Sequence, residues 1–467
     1  MTPRPMTPTM THICPAMQRY ALLLLIAIAN LVPLRSRAQQ LYFPPLVGST
    51  WETVSPASLG WNVGAIDTLR TFLGDQNTRA FILLKDGRIA IEMYFGTFTK
   101  DSAWYWASAG KTLTSVMIGV AQREGLLSLS DTSSRWLGTG WTSEPPEKER
   151  AITIRHQLTM TSGLDDGVGD PYCTEAPCLV YKADAGTRWA YHNGPYTLLD
   201  SVLRAATGMT INSYFTSRIA VKTGMTGLFF RQGYNNVFAS TARSMARFGL
   251  LVLNRGVWGT TSVLDDTAYV QAMSSSSQQI NPSYGYLWWL NGKSSYMIPQ
   301  TQISFPGPLN PSAPASMFAA LGKNGQFIDV VPGQNIVFVR MGDAPDNALV
   351  PFMMNEDIWK HLNRIIPPTS TGVEGDGTVP RAFLVHQNYP NPFNPSTTIG
   401  YVLPRPAEVV VTVHDVLGRD IGRIDEGWRD AGEHVIRFDA SALAGGVYFY
   451  RIDTGWSSGT KAMVVLR

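Results

Sequence analysis

The sequence predicts a mixed α/β (α+β) chain followed by a small all-β sandwich, and three observations carry that expectation. Apolar runs of strand length stand at both ends of a middle with helical spacing. A polar, Pro/Gly-rich stretch then interrupts the chain at 367–380, PPTSTGVEGDGTVP. Beyond it, short β-branched runs alternate with Gly-rich turns. The 467 residues are long for one domain, and two are expected. Hydrophobic content of 44% and charged content of 16% suit a sizeable core, and a net charge of +3 predicts no nucleic-acid or membrane-surface partner.

At the N-terminus, Arg4 and Arg19 precede the apolar run Ala21–Ala29, and Ser36-Arg-Ala38 offers small residues before a cut. That pattern predicts a secretory signal peptide over 1–38, too short to span a membrane, with Met17 an alternative start. Removing it removes Cys14 and leaves Cys173 and Cys178, an even pair in an oxidising compartment, so a disulfide is expected. The histidines lack metal-ligand spacing, and neither a metal nor an organic cofactor is expected.

Ala80–Leu84 and Ile89–Phe95 flank Lys85-Asp-Gly87-Arg88, which reads as a hairpin turn. Lys111–Glu124 is apolar at helical spacing and closed by Gly125; 153–164 and 197–207 read as further helices. Thr241–Leu253 reads as another, Gln326–Val331 and Asn335–Met341 as paired strands, and Asp357–Ile365 as a closing helix. After the linker, Val409–His414, Val435–Phe438, Val447–Ile452 and Ala462–Leu466 read as strands.

Three short patterns carry the chemistry. Ser108-Ala-Gly-Lys111 places a hydroxyl and an ammonium one turn apart where the helix begins, near its unpaired N–H groups. The helix is apolar nearly all round, so a lysine in its first turn must face a cleft or a partner; a solvent-facing Ser/Lys pair is the competing reading. Tyr191-His-Asn193 supplies a phenol that serves as a base only if cations favour its phenolate, a field Lys111 and Lys323 would provide. A packing tyrosine is the bland alternative, and His192 is expected to point away. Lys323-Asn-Gly325 precedes a strand. Lys222-Thr-Gly224 competes with it but leads into a loop, Met225–Phe229.

Each pattern recurs by chance: Ser458 to Lys461, Tyr234-Asn-Asn236, Tyr389-Pro-Asn391 and Lys85-Asp-Gly87 fit the same templates. Their order and context, with TIRHQLTMTSGL at 153–164 and AGTRWA at 185–190, resemble serine hydrolases built like class C β-lactamases and penicillin-recognising enzymes. The resemblance implies a serine β-lactamase-like fold over 39–366, an antiparallel sheet with a helical domain. It implies an acyl-enzyme on Ser108, with Lys111 and Tyr191 moving protons. Asn193, Lys323, Asn324 and Gly325 would meet the substrate, and the N–H groups of Ser108 and Gln326 the oxyanion. Asn324 departs from the usual Thr, which puts β-lactam hydrolysis in doubt.

The segment after the linker (367–382) reads QNYPNPFNPSTTIGYVLP at 387–404, DVLGR at 415–419 and GVYFYRI at 446–452. Over 383–467 it resembles the C-terminal sorting domain of the type IX secretion system. A monomer at the cell surface or outside the cell is expected, with that secretion machinery as partner. Its substrate is expected to be a small molecule, short peptide or oligoamide cleaved at an ester or amide. β-Lactamase, D-amino-acid peptidase and a non-catalytic penicillin-binding-like receptor are the alternatives.

Overall fold

The computed structural model describes residues 41–344, 350–367, 383–388 and 390–466. The signal peptide, the alternative start, Cys14 and linker residues 368–382 lie outside them. The first helix, α1 (Ile66–Asp75), leads into β1 (Thr78–Lys85) and β2 (Arg88–Tyr94), then β3 (Ala103–Tyr105) and α2 (Lys111–Arg123). Next come α3 (Ile154–Leu158), α4 (Asn193–Thr197), α5 (Leu199–Thr207), the hairpin β4 (Leu228–Gln232) and β5 (Asn235–Thr241), and α6 (Ala242–Leu253). The domain closes through β6 (Trp289–Leu290), β7 (Phe318–Gly322), β8 (Gln326–Val331), β9 (Ile336–Gly342) and α7 (Phe352–Ile365).

One six-stranded antiparallel sheet, in the order β2-β1-β9-β8-β7-β6, forms the centre. Its inner strands are buried on both faces because helices cover both: every residue of β8 and of β9 is buried. Edge strand β2 alternates instead, buried at every second residue. Asp86 and Gly87 both take positive φ in the β1–β2 turn, the conformation that a two-residue hairpin needs. Helix α6 lies so close that a Cβ on Gly249 would sit 2.5 Å from Val337 Cγ1, so glycine sets the helix–sheet distance. On α2, every residue from Lys111 to Ala121 is buried, which makes it the core of the helical region.

Several expected elements differ. The helix at 153–164 is only α3: Thr153 caps it in a capping box with His156, and Met160 turns left-handed two residues past its end. Its polar Thr-x-Thr tail bonds locally rather than continuing the ladder, Thr159 Oγ1 lying 2.7 Å from Thr161 Oγ1. The expected helix at 197–207 is preceded by a further turn, α4, and the closing helix begins five residues early at Phe352. The loop expected over Met225–Phe229 enters a strand, β4, whose exposed residues hide the alternation.

The C-terminal region is a β-sandwich with its own core around Val409, Val411, Tyr450 and Ile452. The order of one sheet is β10 (Leu384–Val385), β11 (Ser396–Leu403), β14 (Gly432–Asp439). The other is β13 (Asp420–Arg429), β12 (Ala407–Asp415), β15 (Gly446–Asp453), β16 (Ser458–Val465). Sequence periodicity does not reveal β13, because this edge strand is charged and largely exposed.

Candidate active site

Ser108 sits in a 3₁₀ turn, Ala107–Gly110, that runs directly into α2. The preceding Ala107 has φ 47°, a left-handed conformation for a residue with a Cβ, and such local strain concentrates where a side chain is held for function. The turn is fixed from two sides. Trp106 donates its indole N–H to Ser240 Oγ at 2.8 Å, and the end of β7 packs against the backbone: a Cβ on Gly322 would lie 3.2 Å from Ser108 N.

Lys111, one turn on, is 5% exposed, and its Nζ lies 3.0 Å from Ser108 Oγ. The amine also sits 4.2 Å from the centre of the Tyr196 ring and 5.3 Å from that of Tyr191. Burial pushes Lys111 down to about 7, opposed by the charge of Asp200. A lysine that is half deprotonated near neutral pH, in contact with a hydroxyl, can take its proton.

Tyr191 is buried beside them in a cluster with Trp189, Tyr284 and Trp289. Burial holds its phenol well above the usual 10, and a hydrogen bond with Ser108 only partly opposes this. That differs from the expected electrostatics: burial, rather than the charge of the lysines, dominates the shift of Tyr191.

A cavity of about 530 Å³ opens over Ser108 and Lys111. Asn193, the first residue of α4, and Lys323 and Asn324 line it as well. Asn324 has φ 62° and lies with its Nδ2 2.6 Å from the Tyr105 hydroxyl. Gly325 and Gln326 do not reach the cavity. Gln326 is fully buried, its amide donating to Gly342 O at 2.6 Å and accepting from Gly342 N at 3.1 Å. Gly325 lies over Arg340, whose guanidinium donates to the carbonyls of Asn324 at 2.7 Å and Gly325 at 2.9 Å. The strand following the third motif is thus buried, and it is Gly322, at the end of β7, that packs on the backbone of the Ser108 turn. Lys222 stands elsewhere, donating to Ser262 O at 3.0 Å.

His192 points away from the cavity into the interior. Burial pushes it down to about 4, and its ring nitrogens have no hydrogen-bond partner among the described residues. Cys173 and Cys178 are disulfide-bonded. Tyr172, just before the closed loop, joins the cavity wall, and the loop packs on Gly194, where a Cβ would fall 2.5 Å from Cys173 O.

Other lining residues carry no motif that marks them in the sequence. Phe230, Gln232, Asn235 and Asn236 come from the β4–β5 hairpin, and Asn236 belongs to a Tyr-x-Asn match that reads as a chance recurrence. Asp200 is a further residue that sequence reasoning missed. Its signal is a carboxylate between Leu199 and Val202 on the buried side of an amphipathic helix. Among the described residues no group of three His, Cys, Asp or Glu stands close enough to hold a metal ion.

Residues 67–350 match the family model for β-lactamases, and residues 387–466 match that for a secretion-system C-terminal sorting domain. Penicillin-binding protein 4* of Bacillus subtilis (strain 168) is 27% identical over 143 residues, a match covering 27% of this chain and 30% of that relative's length. A putative 6-aminohexanoate-dimer hydrolase from Bacillus anthracis superposes with a TM-score of 0.52 at 19% identity, over 68% of this chain and 89% of that one. A putative β-lactamase from Bacteroides dorei DSM 17855 does so with a TM-score of 0.53 at 18% identity, over 66% and 100%. At such identities the structural likeness establishes the fold.

Proposed function

This chain belongs to the β-lactamase family, and we propose that it is an exported serine hydrolase cleaving an ester or amide bond through an acyl-enzyme on Ser108. The observation that carries the proposal is the 3.0 Å contact between Ser108 Oγ and an amine pushed down to about 7. Neutral Lys111 takes the hydroxyl proton as Oγ bonds to the substrate carbonyl carbon. The N–H of Ser108 and the chain leaving β7 at Gly322 and Lys323 face the developing oxyanion. Tyr191, protonated at neutral pH, donates to the departing alkoxide or amine and regains a proton through Lys111. Water then repeats the sequence on the acyl-enzyme. Asn193, Lys323 and Asn324 hold the substrate from the cavity wall.

Ester and small-amide substrates are favoured over β-lactams. Asn324 offers no hydroxyl where a penicillin-like carboxylate would be met, and its amide is engaged by Tyr105. Treatment of the purified mature protein with a fluorophosphonate should label Ser108. A panel of p-nitrophenyl esters, aminoacyl anilides and nitrocefin should show ester or anilide turnover exceeding that of nitrocefin. An unlabelled, inactive protein would support the receptor reading instead.

The C-terminal sorting domain indicates type IX secretion and a secreted or cell-surface location. The core of the hydrolase region ends at Ile365 and that of the sandwich begins at Val385, with no residue in common. A chain ending at Pro368 should therefore hydrolyse with unchanged kcat while failing to leave the periplasm of its native host. Surface or medium levels equal to those of the full chain would overturn the sorting role. Lost activity would mean that the sandwich completes the site.

A further inference from the structure

Beneath the cavity, α5 brings the carboxylate of Asp200 into the field of Lys111, and nothing in the proposed mechanism uses it. Asp200 Oδ2 accepts from Asn236 Nδ2 at 2.7 Å, while its Oδ1 is buried with no partner among the described residues. A carboxylate in that setting is costly unless something is gained from its charge. Asn236 lines the cavity, so this hydrogen bond also ties the cavity wall to the carboxylate behind it.

Around Lys111 the turn supplies Ser108, the segment before α4 Tyr191 and α4 itself Tyr196. From α5, Asp200 acts on it by charge and is itself bonded by the neutral Asn236 of β5. Tyr172 and Lys323 stand across the cavity. Asp200 is thus the one carboxylate among them.

Resting on the reading of Lys111 as the base, we propose that Asp200 is a positioning residue that sets the protonation state of Lys111 and fixes the amide of Asn236. The two buried groups oppose each other's burial. Desolvation drives Lys111 down and Asp200 up to about 7, and each charge pulls the other back toward ionisation. Without the carboxylate, the lysine would lose its proton at still lower pH and become a weaker base.

The test is the pH profile of fluorophosphonate labelling and of kcat/KM for one p-nitrophenyl ester. Labelling requires deprotonated Lys111, so its acidic limb follows that group. Asp200→Asn keeps the shape and removes the charge. Its acidic limb should move to lower pH by about one unit, the small end of the effect of a nearby opposite charge. The plateau rate should fall several-fold as the base weakens. Asn236→Ala keeps the carboxylate but removes the hydrogen bond that favours its ionisation, so its limb should move in the same direction by less. If Asp200→Asn does not fold, the Asn236→Ala limb decides the question. A limb that stays where the wild type has it, whatever happens to Tm, would reduce Asp200 to a structural role and overturn the proposal. Lys111→Met separates the two readings. If that variant labels at the wild-type rate, the base assignment fails; if it does not label while Asp200→Asn leaves the limb unmoved, only the role of Asp200 fails.

Discussion

Ser108→Ala should abolish fluorophosphonate labelling and lower kcat by about 10⁶-fold, the scale seen when a serine hydrolase loses its nucleophile. Tm should hardly move. Ser108 is half-buried at the cavity, and its Oγ bonds to Lys111 and Tyr191 rather than to any backbone group that would be orphaned. The alanine removes one small atom at the cavity wall, so the loss is chemical. Measured turnover within tenfold of wild type would remove Ser108 from the mechanism.

Lys111→Met should cost about 10³–10⁴-fold in kcat/KM, at the upper end of what general acid–base groups contribute, because the same amine starts and ends the proton relay. The thioether fills the space of the stem among Tyr196 and Tyr191 without a charge to desolvate, so Tm should be maintained. In the wild type, kcat/KM should rise with pH through about 7: below it Lys111 is an ammonium and cannot accept a proton, above it the free amine can. No alkaline loss from Tyr191 is expected below pH 10, since its phenol is held above its ordinary value. Tyr191→Phe should lower kcat by about 10²-fold or more while leaving that acidic limb in place. If Tyr191→Phe moves the limb and Lys111→Met leaves it, the two roles are reversed.

Much of this site is legible in the amino-acid sequence. A serine and a lysine three apart at the head of a helix apolar nearly all round require a shared face and a cleft, because local geometry fixes the first and desolvation the second. The hairpin at Lys85–Arg88 is equally local, since only residues tolerant of positive φ close a two-residue turn. The wording of residues 387–466 identifies the sorting domain in the same way.

Tertiary structure decided what depends on residues far apart in the chain. Tyr191 reads as a phenolate from its neighbours' charges, yet Trp189, Tyr284 and Trp289 enclose it and reverse the direction of its shift. The N–H of Gln326 reads as an oxyanion donor from its place after the third motif, yet the whole residue is buried and stands outside the cavity lining. Asp200 and Asn236 meet only because α5 packs beside a hairpin whose exposed strand carries no hydrophobic pattern. Sequence by itself determined which side chains are candidates for the chemistry, and the sorting domain. Packing determined their protonation, because the cost of burying a charge depends on every neighbour at once, and those neighbours are set by the whole fold.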